Sequence, residues 1–128
     1  MELTALPSDQ IAIGNDLVYI PDLKKSLTPA FKKRVYTRAE IKQIEEYRVE
    51  PIVRYATTWA AKEAVVKSLK QLFGPRLGLK WKDIRILRKG KTPTVKILNP
   101  RFKQLAVSLS LSHERDYAFA VVIIRKKS

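Results

Sequence analysis

A chain of 128 residues, 45% of them hydrophobic, has the length and apolar content for one domain around one core, here residues 1–128. It holds no cysteine and one histidine, His113, which excludes disulfides, thiolate zinc sites, a cysteine nucleophile and any multi-histidine metal centre. Lys and Arg number 26 against 12 acidic residues, and the net +14 attracts nucleic acids, acidic proteins and phosphorylated small molecules without choosing among them.

No apolar run approaches the ~20 residues a membrane-spanning helix needs. Residues 1–10, MELTALPSDQ, lack a basic-then-apolar leader pattern. The expected setting is cytoplasmic, without a membrane partner. A metal in such a chain needs carboxylate ligands, which select hard cations such as Mg²⁺.

In chain order, residues 11–20 (IAIGNDLVYI) alternate as β structure. Gly14-Asn15-Asp16 is also a turn signal, so this stretch by itself predicts a tight hairpin rather than one continuous strand. In residues 21–35, Leu23, Leu27, Phe31 and Val35 recur every four positions, predicting helical pieces broken near Pro29. Thr37-Arg38-Ala39-Glu40 is a capping box, opening a short amphipathic helix through Ile41, Ile44 and Tyr47. Residues 51–73 form the longest helical candidate, opened by Pro51 and stopped by Gly74-Pro75. Its alanines at 56, 60, 61 and 64 allow close approach of another element. β-type segments follow at 83–87, 94–98, 105–111 and 117–124, with turn-like stretches at 88–91, 99–100 and 112–116. The last two strands read as a hairpin. Helices in the first half and strands in the second indicate α+β.

Three places carry candidate chemistry. Glu63 and Lys67 lie four apart on one face of the long helix. They are either a surface ion pair or a carboxylate and an ammonium able to hold a cation and a phosphate side by side. Asp16 is either a turn aspartate or a second carboxylate for Mg²⁺, which usually takes one or two from protein. His113, in Ser112-His113-Glu114, is either an ordinary exposed turn histidine or a donor to a phosphate. There is no P-loop, no G-x-G-x-x-G and no RNA-recognition signature.

These motifs, in this order, resemble the holo-acyl-carrier-protein synthase family from about residue 11 to residue 124. Residues 12–17 (AIGNDL) resemble the family's G-I-G-x-D-[IL]. Residues 58–67 (TWAAKEAVVK) resemble its [RKG]-[FW]-[AS]-x-K-E-A-x-x-K. Residues 31–37 (FKKRVYT) resemble F-x-x-R-[VI]-[LY]-[TS], and residues 83–86 (DIRI) resemble D-I-E-[IV]. Residues 110–118 (SLSHERDYA) resemble S-[IL]-[ST]-H-x-x-x-[YF]-A.

The resemblance implies an antiparallel sheet around one long helix plus shorter helices, with Asp16 on a continuous strand. It implies Mg²⁺-dependent transfer of 4′-phosphopantetheine from coenzyme A to a serine of an apo acyl-carrier protein, releasing adenosine 3′,5′-bisphosphate and supporting fatty acid biosynthesis. Asp16 and Glu63 would hold the metal and Lys67 the pyrophosphate. His113, with Ser112, Lys62 and Pro93, would meet coenzyme A. The serine proton would pass to a metal-bound water or to Glu63. Lys24, Lys25, Lys32, Lys33, Arg34 and Arg38 would face the acidic carrier protein, or else form a solvated helix face. A cyclic homotrimer with shared sites is also implied.

The chain departs from the pattern at Ala12 and Asp22, and at Thr58, where the family has Arg, Lys or Gly. It departs again in the stretch 70–76 and in the one-residue-longer turn 90–93. Two rival readings stand beside the transferase. One is a basic nucleic-acid-binding module of ribosomal type; the other is an idle homologue serving as a scaffold. The two carboxylates argue against the scaffold, since they would repel in a shared site without a cation.

Overall fold

The computed structural model describes residues 10–47 and 49–127. Residues 1–9, where a leader pattern was sought, lie outside that range. The order is β1 (Ile11–Tyr19), α1 (Ile20–Ser26), α2 (Pro29–Val35), α3 (Arg38–Glu45), α4 (Pro51–Phe73), β2 (Ile84–Lys89), β3 (Thr92–Ile97), β4 (Leu105–Glu114) and β5 (Tyr117–Lys126). One antiparallel sheet has the order β1-β5-β4, and β2 and β3 form a second ladder. The architecture is α+β, as expected.

The inner face of the larger sheet is built from small and branched residues. Ala118, Ala120, Val122 and Ile124 of β5 are buried and face α4. α4 answers with Ala56, Ala60, Ala61, Ala64, Val65 and Leu69, each 0% exposed. Full burial of a Val, Leu or Ile is worth ~1.5–3 kcal/mol, which Val65, Leu69, Val122 and Ile124 each bring to this interface.

The hairpin expected from Gly14-Asn15-Asp16 is not formed. These residues continue β1 and pair with Val122, Val121 and Ala120 of β5. Pairing along the whole of β5 outweighs the local turn signal. Gly14 answers a different need: a Cβ there would collide with the Ala64 carbonyl and lie 2.5 Å from Ser68 Oγ. It marks a close approach of strand and helix.

Two other boundaries move. The turn expected over 112–116 shrinks to Arg115 and Asp116, because β4 keeps pairing through Glu114, opposite Tyr117. β3 begins at Thr92, so Pro93 lies within a strand, opposite Arg88. The free edge of β2 is closed by side chains of α3. The Ile86 N–H donates to Glu40 Oε2 at 2.7 Å and the Arg88 N–H to Gln43 Oε1 at 2.7 Å. Gln43 Nε2 donates back to the Arg88 carbonyl at 2.8 Å. Glu40 also completes the capping box with Thr37 that starts α3.

Candidate active site

The tight seam at Gly14 brings Asp16 of β1 against Glu63 and Lys67 of α4. Asp16 is 7% exposed. Lys67 Nζ donates to Asp16 Oδ1 at 2.8 Å and to the Asn15 carbonyl at 3.1 Å. Asp16 Oδ2 is buried with no hydrogen-bond partner. Burial, followed by hydrogen bonding and repulsion from Asp16, pushes the Glu63 carboxyl up to about 8, against the pull of Lys67. Two carboxyl groups thus share one site with one ammonium, and one buried acceptor oxygen has no hydrogen-bond partner.

That donor set fits a divalent hard cation: two protein carboxylates, with room for water or substrate oxygens. The carboxylates open into a cleft of about 330 Å³ that also takes in Leu23, Ser26, Phe31 and Trp59. Of the basic residues expected to face the carrier protein, Lys24 and Lys25 are exposed on α1 and Lys33 and Arg34 on α2. Arg38 is exposed at the start of α3, and Lys32 lies half-buried over the Tyr55 ring.

The expectation that Lys62 meets coenzyme A is corrected. Its ammonium is fully buried, 2.8 Å from Glu40 Oε1. It donates to the carbonyls of Val35 (2.8 Å), Trp81 (3.1 Å) and Ile84 (2.7 Å). Burial pushes the ammonium down and Glu40 pulls it back. One residue step turns the side chain 100° about the helix axis, so adjacent Lys62 and Glu63 serve the core and the cleft respectively.

Ser112, His113 and Pro93 do come together, in a second cavity of about 280 Å³ that shares no lining residue with the carboxylate cleft. His113 is exposed on the end of β4 rather than in a turn. Sequence reasoning missed the cations beside it: Arg54, Arg88 and Lys91 line the same cavity. The Arg54 guanidinium stacks over Tyr47 at 3.4 Å. Arg88 donates to Thr57 Oγ1 at 2.6 Å and Thr58 Oγ1 at 3.1 Å. The only sequence signal for this cluster was the overall excess of basic residues.

An α4 helix seated on an antiparallel sheet, with an acid pair at their seam, defines the class. A sequence model of the 4′-phosphopantetheinyl transferase superfamily matches residues 12–122. Holo-[acyl-carrier-protein] synthase of Chlamydia caviae is 36% identical over 119 residues, covering 87% of this chain and 93% of the relative. That of Aquifex aeolicus is 37% identical over 124 residues, covering 91% and 99%. Among solved structures, Helicobacter pylori holo-[acyl-carrier-protein] synthase in complex with coenzyme A superposes with a TM-score of 0.75 at 27% identity, covering 88% of this chain and 98% of that one. A Chronobacterium ammoniagenes ACPS–CoA complex reaches 0.79 at 22% identity, over 92% and 98%, and shows the shared fold. The chain belongs to the holo-acyl-carrier-protein synthase family of enzymes. Membership favours the transferase over a nucleic-acid-binding module.

Proposed function

We propose that the chain, as one transferase domain over residues 1–128, moves 4′-phosphopantetheine from coenzyme A to a serine of an acidic apo acyl-carrier protein. The product would serve fatty acid biosynthesis in the cytoplasm. The observation that carries this reading is the acid pair with its orphaned, buried Asp16 Oδ2 under Lys67. Asp16 and Glu63 would hold Mg²⁺, which when bound neutralises pyrophosphate oxygens and stabilises charge developing in the transition state. Lys67, already at the acid pair and more than half exposed, offers its ammonium to the same pyrophosphate.

The serine oxygen bonds to the phosphorus that carries pantetheine. The bond from that phosphorus to the bridging oxygen breaks, and adenosine 3′,5′-bisphosphate leaves. Glu63 is the proton acceptor that this chain supplies in the cleft. The carrier's acidic helix docks on the basic surfaces of α1 and α2, whose residues Leu23, Ser26 and Phe31 border the cleft.

The separate cavities around Glu63 and His113 support a site shared between subunits. Thr57 of one cavity and Glu63 of the other are offset by about 9 Å along α4, and the two cavities share no lining residue. The outer sheet face, with Ile13, Leu17, Phe119 and Ile123 all exposed, offers an apolar surface for assembly into a trimer. Ile13 is paired with Ile123 and Leu17 with Phe119, so the four form one contiguous patch.

The test is intact mass of an apo carrier after incubation with the chain, coenzyme A and Mg²⁺. One phosphopantetheine is added per carrier, and Glu63→Gln removes the addition while circular dichroism is kept. No addition across several carriers overturns the reading.

A further inference from the structure

Arg88 is a guanidinium held in place at both its backbone and its head. Its backbone is clamped on both sides by the Gln43 amide, and its head is fixed by the hydroxyls of Thr57 and Thr58. No carboxylate pairs with it among the described residues. A guanidinium carries five N–H donors, and the two threonines use only part of that fork. Arg54, Lys91 and His113 line the same cavity, and no Asp or Glu does among the described residues. Four basic side chains around about 280 Å³ match a small polyanion such as a phosphate monoester.

Thr58 gives the cavity its particular form. The family pattern that residues 58–67 resemble has Arg, Lys or Gly at this position, and here a fully buried threonine accepts a hydrogen bond from Arg88. An arginine on α4 at 58 and an arginine on β2 at 88 would compete for one space. Burial, then the neighbouring Arg54, push the Arg88 guanidinium down to about 10, which an arriving dianion would reverse.

We propose that Arg88 reads the 3′-phosphate of coenzyme A, supplying from β2 the cation that position 58 lacks. This rests on the transferase reading, in which the pyrophosphate is taken at Asp16, Glu63 and Lys67. The 3′-monoester is the remaining phosphate of the donor, and the Arg88 cavity is the one that also holds Ser112, His113 and Pro93.

Calorimetric titration with adenosine 3′,5′-bisphosphate and with adenosine 5′-monophosphate tests it, on the full chain, Arg88→Gln and Arg88→Gln/Thr58→Arg. Wild type prefers the bisphosphate. Arg88→Gln weakens the bisphosphate about 10- to 100-fold, the range expected for a lost charge-assisted contact, and leaves the monophosphate within about threefold. Adding Thr58→Arg restores the preference, which a merely structural role for Arg88 would not allow. Equal weakening of both nucleotides, or a bisphosphate affinity unmoved by Arg88→Gln, overturns the assignment. Phosphopantetheine transfer by the same wild-type protein is read in parallel by intact mass. If it transfers while the Arg88 result is negative, this assignment alone falls; if it does not transfer, the underlying reading falls and takes the assignment with it.

Discussion

Replacing Lys62 by Met tests whether the lysine of the Lys-Glu pair is a core bolt or a ligand contact. The side chain is matched in length but loses its charge and its donors. In the native fold the ammonium meets Glu40 at 2.8 Å and three carbonyls within 3.1 Å. Those carbonyls belong to the end of α2, the turn before β2 and β2 itself, so one group ties three segments to α4. Removing one partner of a buried pair typically costs about 3–5 kcal/mol, because the other charge stays buried. Against a total stability of ~5–15 kcal/mol, that is a large share. For a chain of this length it corresponds to a fall in Tm of roughly 10–20 °C. Urea unfolding at fixed protein concentration, followed by the fluorescence of Trp59 and Trp81, measures it; their rings lie 4.7 Å apart and next to the Trp81 carbonyl that Lys62 holds. Glu40→Gln should also destabilise, and the double variant should cost less than the sum of the two singles. A Lys62→Met protein within about 1 kcal/mol of wild type, with a raised KM for coenzyme A, would refute the bolt and return Lys62 to the donor site.

Gly14→Ala should destabilise by about 1–3 kcal/mol and weaken Mg²⁺ binding, since the added Cβ forces β1 off α4 at Ala64 and Ser68; calorimetry reads both. If the proposed trimer forms through the exposed apolar sheet face, Leu17→Glu shifts it to monomer in light scattering while the far-ultraviolet spectrum is kept; an unchanged mass would remove that face from the assembly. The folded chain holds the Glu63 proton more tightly than the unfolded chain, at about 8 against 4.5. The stability this confers on the metal-free protein is complete below the lower value and is lost as pH rises through the higher one. Glu63→Gln should therefore gain Tm over metal-free wild type as pH rises through that window. Added Mg²⁺ should raise the wild-type Tm more at the alkaline end than at the acid end and leave the Gln variant unmoved. An equal Mg²⁺ effect at both ends, or in both proteins, would remove Glu63 from the metal.

Periodicity and punctuation sufficed for the local elements. α4 runs from Pro51 to Phe73 because no other proline or glycine interrupts it before Gly74. The Thr37–Glu40 capping box and the break at Pro29 also stand as read, since caps and prolines act within one turn of chain. The order of weak motifs was enough to indicate the family, and the pairing of an Asp on the first strand with a Glu on the long helix came with it.

Contacts between distant segments were beyond that reading. Gly14-Asn15-Asp16 looks like a turn until β5 pairs with it and α4 presses on it, for a glycine needed for close approach has the same letter as one needed for a bend. Lys62 and Glu63 are neighbours in sequence, yet 100° of helical rotation sends one to a buried carboxylate and the other to the cleft. The Arg88 cation stands at Thr58 because β2 is docked on α3 through Glu40 and Gln43. Sequence alone determined the pieces, their order and the acid pair's membership. The tertiary structure decided which charges are spent inside the core and which remain free for a ligand, because burial and pairing depend on distances that no local pattern encodes.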